Sequence, residues 1–189
     1  MLALSQGASM AWQLAASEAA RTQQRYIERE SVFVGVCRLG TWLRTTPQGQ
    51  ERAPAGQAEA ETIEEILRAF TLVPQIVCRA VRTAVGKGSH GHGTEAVVHR
   101  SQACKTCFQR AEALAAAAHA GEIHCLHLFT ALLEHPGPVL TGVLGVFRVD
   151  IKALYAQTVA TTSALDALHT RAAKKGQGVS HLIYVGTDR

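Results

Sequence analysis

Residues 101–137 read SQACKTCFQRAEALAAAAHAGEIHCLHLFTALLEHPG, and residues 5–40 read SQGASMAWQLAASEAARTQQRYIERESVFVGVCRLG. A shift of 96 positions lays Ser5-Gln6 on Ser101-Gln102, Gln13 on Gln109 and Ala15 on Ala111, then Ile27 on Ile123 and Phe33 on Phe129. The stripe of side chains matters more than the identities. Ala8, Ala11, Trp12, Ala15 and Ala19 recur at three- and four-residue steps, the spacing of one helix face. Their partners Cys104, Cys107, Phe108, Ala111 and Ala115 draw the same stripe in different atoms. Ser5 and Ser101 stand where an N-cap hydroxyl closes a helix start. A second helix follows in each half, with Val32, Phe33, Val36 and Cys37 matched to Leu128, Phe129, Leu132 and Leu133.

Beyond that point the register changes. Ile63, Ile66, Leu67 and Phe70 match Leu140, Val143, Leu144 and Phe147 at a shift of 77, so the first half carries 19 extra residues. They fall at 41–59, TWLRTTPQGQERAPAGQAE, where Pro, Gly and Gln predict a solvent-exposed loop. A fourth helix is expected to open at Pro74, and its counterpart to be capped by Asp150 with Ile151 and Leu154 facing inward. The sequence therefore predicts an all-α fold, a tandem pseudo-twofold repeat of two four-helix units sharing one core. The first unit spans 1–85 and the second 98–160. Residues 86–97, including GKGSHGHG, form a flexible connection, and 161–189 form a linker.

Composition narrows the function classes. Of 189 residues, 47% are hydrophobic but only 5% aromatic, which favours helices packed through small side chains over a β-sandwich. The net charge of +4 comes from 19 basic and 15 acidic residues spread along the chain, with no basic block to mark a nucleic-acid partner. Apolar runs such as Ala113–Ala118 fall short of the roughly 18 residues of a membrane span. The first residues lack a basic region, and five cysteines are an odd number, so reduced thiols and a cytoplasmic setting are expected.

The repeated pattern resembles the double Clp repeat at the N-terminus of Clp AAA+ unfoldases of the ClpA, ClpC and ClpB kind. In that family a Ser- or Thr-capped, alanine-rich helix leads through a Gly-Thr-Glu-His start into a Leu-rich second helix. VLGVFRVDIKAL at 143–154 is similar to the family's third and fourth helices, and ILRAFTLVPQIV at 66–77 is a looser copy. The resemblance covers about residues 2–160. It implies a non-catalytic module that captures unfolded or tagged protein substrates, or an adaptor, for the Clp ATPase and protease machinery. It also implies no cofactor in this chain, the ATP belonging to a separate motor. No Gly-x-x-x-x-Gly-Lys-Ser/Thr loop occurs, and Tyr184-Val185-Gly186-Thr187-Asp188-Arg189 looks like a degraded opening of the ATPase module. The chain is then expected to be either a piece cut before the motor or a stand-alone adaptor or regulator of a Clp protease.

Two sets of candidate site residues follow. In ClpC-type domains the glutamate of Gly-Thr-Glu-His and the hydroxyl capping the first helix bind phosphorylated arginine. By resemblance the first half keeps Ser5 and Glu30, and the second keeps Ser101 and His127 but has Leu126 in place of the glutamate. Helix capping by the serines, with Glu30 complementing a helix start, is the simpler alternative. Separately, Cys104-x-x-Cys107 followed by His124 and His127 has a spacing close to zinc-ligand patterns, which would make a metal- or redox-sensing helical protein. Against this, Cys104 and Cys107 replace Ala8 and Ala11 on the apolar stripe, where cysteine serves as a small hydrophobe.

Overall fold

The computed structural model describes residues 2–92 and 98–174. A short strand β1 (Ala3–Leu4) leads into α1 (Gln6–Arg21), α2 (Arg29–Thr45), α3 (Pro47–Ala69) and α4 (Pro74–Val85). The second half repeats the order with α5 (Gln102–Ala117), β2 (Glu122–Ile123), α6 (Cys125–Glu134), α7 (Gly137–Val146) and α8 (Ile151–Lys174). The fold is all-α, two four-helix units, as the repeat predicts. Ser5 Oγ accepts from the Ala8 amide at 3.1 Å, and Ser101 Oγ accepts from the Cys104 amide at the same distance. Both stripes lie inward, with Ala8, Ala11, Ala15 and Ala19 fully buried. A Cβ on Gly35 would collide with the Ala11 carbonyl, so glycine lets α2 lie directly on α1.

The repeat extends to features that no side-chain pattern announces. Gln23, Thr71, His119 and Arg148 all have φ near +56°. They fall in two pairs at the shifts of 96 and 77, each just past a helix end. In every case the residue's own amide and the next one reach back to the last turn, as Gln24 N to Ala19 O at 2.9 Å and Ala120 N to Ala115 O at 2.9 Å. This is the closing geometry usually given to glycine.

The halves meet about a pseudo-twofold axis. Phe33 and Phe129, equivalent and both fully buried, stack at 5.7 Å across it, and the equivalent Trp12 and Phe108 meet edge to face at 5.1 Å. Backbone pairing is exchanged between halves. Ala3 and Leu4 run parallel to Glu122 and Ile123, while Arg100 bridges to Ile27. Each half thus has its leading strand completed by the turn that precedes the other half's second helix.

Two expectations on the course of the chain need correction. The 19 extra residues are not a loop: α2 is seven residues longer than α6 and α3 thirteen longer than α7, with one residue fewer between them. Thr46 Oγ caps α3 through the Gly49 amide at 3.0 Å, Pro47 takes the first turn, and Ala, Gln and Glu then support the helix. The described part of the connection is hydrogen-bonded to the turn after α1. The Gly88 amide donates to Thr22 O at 2.9 Å, the His90 amide to Gln23 O at 3.0 Å, and His92 Nε2 lies 2.7 Å from Gln24 O. Finally, α8 runs on to Lys174, so a linker beginning at 161 would start inside a helix. Thr162, on that extension, is buried and its hydroxyl lies 3.1 Å from that of Thr130 on α6. The starts of α4 at Pro74 and α8 after Asp150 fall where expected, with Asp150 Oδ1 accepting from Lys152 and Ala153 and Leu154 fully buried. Residues 93–97 of the connection and the 184–189 motif lie outside the described residues. No described helix is long and apolar enough to cross a membrane.

Candidate functional site

The exchanged strands decide which candidate residues can act together. The Ser5 amide donates to Ile123 O at 3.0 Å, and the Ser101 amide donates to Ile27 O at 3.1 Å. Ser5 therefore stands at the start of α6, and Ser101 at the start of α2. Glu30, on the first turn of α2, lines a small cleft with Glu18, Thr22, Ser31, Val81 and Arg82. Glu18 and Thr22 belong to the C-terminal end of α1, whereas Ser5 caps its N-terminus; sixteen helical residues, about 24 Å, separate the two ends. The Ser5–Glu30 set suggested by reading each half alone is thus not assembled. Ser101 and Glu30, taken crosswise, share one end of the molecule.

At the other end the start of α6 is elaborated. His127 is buried, and its Nδ1 accepts from the His124 amide at 3.0 Å. Leu126, in the position of the family's glutamate, is buried as well. The Ser5 hydroxyl donates to the carboxylate of Glu59, at 2.7 Å to Oε1 and 3.0 Å to Oε2. The Cys125 amide donates to Glu59 Oε2 at 2.7 Å, and His124 Nδ1 lies 3.7 Å from the same oxygen. Burial pushes the Glu59 carboxyl up, but the neighbouring His124 ring and hydrogen bonds from the Cys125 amide and Ser5 outweigh it and hold the group below the usual range.

Glu59 was missed in the sequence because it sits at the end of the segment read as an exposed loop. The signal was present. Glu59 precedes Ile63 and Ile66 on the spacing of one helix face, and a carboxylate on such a stripe needs a donor. Glu18 was missed for a similar reason. It lies among the alanines of the α1 stripe with only 4% of its side chain exposed, and takes Arg82 at 2.7 and 3.0 Å, Arg21 at 2.8 Å and Arg38 at 3.2 Å. Burial raises its pKa, the arginines lower it, and the arginines prevail. Glu30, beside it in the cleft, is held above the ordinary carboxyl value, chiefly by burial.

The four residues with zinc-ligand spacing are divided between the two ends. Cys104 and Cys107 lie on the buried face of α5, where Cys104 feels the charges of Arg100, Glu28 and Arg29, so they stand by the start of α2. His124 and His127 stand by the start of α6 and Glu59. Burial, the first cause in both, pushes the Cys104 and Cys107 thiols up to about 12, the opposite of what a thiolate ligand or redox nucleophile requires. Among the described residues no group of three or more His, Cys, Asp or Glu is placed to hold a metal ion. All five cysteines are buried and unbridged, as small core residues.

Comparison with known proteins places the architecture. No protein-family model matches the sequence, and no curated protein matches it at the sequence level. Among solved structures, the chain is similar to the Hsp104 N-terminal domain from Candida albicans, with a TM-score of 0.61 at 10% identity over 83% of this chain and 89% of that one. A second, from structural investigations of a malarial protein secretion system, gives a TM-score of 0.60 at 9% identity, covering 84% of this chain and 94% of the other. The fold is a Clp-N-like double repeat. At these identities the likeness concerns architecture alone.

Proposed function

We propose that the chain is a recruiting module of the Clp type, which captures unfolded or tagged proteins, or the adaptor that carries them, for an ATP-driven unfoldase, and performs no chemistry itself. The observation that carries this reading is the double repeat with exchanged strands, similar over most of its length to the Hsp104 N-terminal domain. The candidate residues fit a binding role. Glu18 is neutralised by arginines, the thiols are buried, and Glu30 lines a small cleft. No nucleic acid or membrane partner is proposed, and neither ATP nor zinc is assigned to this chain.

Ser101 and Glu30 give the proposal a specific form. A carboxylate above its ordinary pKa gains from a guanidinium placed beside it, and the hydroxyl and amides at a helix start suit a phosphoryl group. Phosphorylated arginine carries both. The test is fluorescence anisotropy of the full chain with an unfolded reporter protein, prepared with and without arginine phosphorylation. Saturable binding of the unfolded reporter that a folded control does not show supports recruitment, and its absence for both preparations overturns it. Glu30→Ala is expected to weaken the phosphorylated reporter alone by about tenfold, equivalent to about 1.4 kcal/mol. An unchanged affinity removes the phosphoarginine pocket while leaving recruitment standing.

A further inference from the structure

Among the described residues, three of the four large hydrophobic side chains left exposed belong to one pair of helices. Val73, just before α4, is 48% exposed, Ile76 on its first turn 54%, and Val146 at the end of α7 80%. Val85 at the end of α4 lines the cleft with Glu30 and Ser31, and Gly137 at the start of α7 lies against the Arg29 side chain. Both of those ends therefore meet the start of α2. Because α4 packs on α7, the two run in opposite senses, and the start of α4 lies with the end of α7. That shared end stands about 18 Å, the length of α4, from the Glu30 cleft.

The repeat supplies an internal control. The outward stripe of α7 reads Pro138, Thr141, Gly142, Gly145 and Val146, all exposed and uncharged. At the shift of 77 the same stripe of α3 reads Glu61, Glu64, Glu65, Arg68 and Ala69, the charged face expected of a helix in water. Neither α4 nor α7 holds an acidic residue. The rim of the apolar face carries the exposed Arg79, Arg148 and Lys152, and among the described residues none of the three forms an ion pair. Asp150, between the last two, turns its Oδ1 to the amides of Lys152 and Ala153.

We propose that the α4–α7 face docks an amphipathic helix of a protein partner, whose apolar stripe covers Val73, Ile76 and Val146 and whose acidic flanks meet Arg79, Arg148 and Lys152. An uncovered apolar face marks an interaction surface, and a rim of one sign selects the charge of what covers it. A second copy of the same face would set arginine against arginine. Gly142 and Gly145 leave open space above the α7 backbone, room for a helix to lie close, which favours a peptide over a lipid surface. The inference rests on exposure and charge, and holds whether or not the domain recruits unfolded proteins.

The experiment follows the backbone amide resonances of the full chain during titration with an amphipathic helical peptide of about five turns, with leucines on one face and glutamates on both flanks. Saturable shifts are expected at Ile76, Gly142 and Val146. The same peptide with lysine flanks is expected to bind at least about tenfold more weakly. Ile76→Glu and Val146→Glu, both at exposed positions, are each expected to weaken the glutamate peptide by about tenfold, and either serves if the other loses its dispersed spectrum. Arg79→Glu combined with Arg148→Glu is expected to reverse the preference between the two peptides. The proposal is overturned if the glutamate peptide gives no saturable shift on this face, if flank charge makes no difference, or if the double variant keeps the wild-type preference. It is overturned as well if the face self-associates in sedimentation, or binds vesicles of anionic phospholipid, while leaving the peptide unbound.

Discussion

Glu18 draws three guanidinium groups onto one buried carboxylate, and its removal leaves Arg82 half-buried and without that partner. Truncation of a buried member of a charge network is costly because the remaining charges lose their compensation. Glu18→Ala is expected to lower stability by roughly 2–3 kcal/mol in urea unfolding at neutral pH, Arg21 and Arg38 being exposed enough to rehydrate. The pH dependence has a definite sign. The folded pKa lies below the ordinary carboxyl value, so the contribution is complete above the unfolded pKa and is lost as pH falls through the folded one. The difference between wild type and Glu18→Ala should accordingly narrow in acid. A gap that widens there would show that the arginines do not hold the ionised form. Thr71 gives a second check. It is β-branched, yet has a φ of +56°, and Thr71→Gly is expected to raise stability by about 1 kcal/mol in the same assay. What was legible at this scale was the capping: Ser5, Ser101 and Asp150 could be read as caps because a cap bonds within its own few residues. Glu18 and Glu59 could not be assigned partners, since those come from helices far along the chain.

Among the elements, α3 departs most from expectation. Residues 41–59 are rich in Pro, Gly and Gln, which read as loop when counted as composition. Read as positions, Thr46-Pro47 is a cap followed by a first-turn proline, and Pro54 is the one real contradiction within the helix. Pro54 is exposed, so replacing it sacrifices little packing. Pro54→Ala should raise the melting temperature, with a gain of about 1–2 kcal/mol out of the roughly 3 kcal/mol that separates the two residues inside a helix. A lower melting temperature would mean that the proline shapes the arm that carries Glu59. The alanine stripes of α1 and α5 were legible for the converse reason. Their periodicity survives the exchange of Ala8 and Ala11 for Cys104 and Cys107, so the helix and its buried face could both be read, although the same exchange also suggested a metal.

For the whole molecule, the two shifts of 96 and 77 were enough to recover an all-α double repeat, because homologous halves keep matching stripes even where identities fade. They did not reveal how the halves join. Strand exchange pairs residues about a hundred positions apart, and nothing local to Ser5 or Glu30 says which end of which helix each will meet. The site depends on this joining: Ser5 with α6 and Glu59, Ser101 with α2 and Glu30, and the thiols held apart from the histidines. The most direct test is a set of backbone nuclear Overhauser contacts in the full chain. The exchanged pairing predicts contacts from Ala3 and Leu4 to Glu122 and Ile123, and from Arg100 to Ile27. Contacts from Ser5 to residues 28–30, with none to the Ile123 segment, would contradict it.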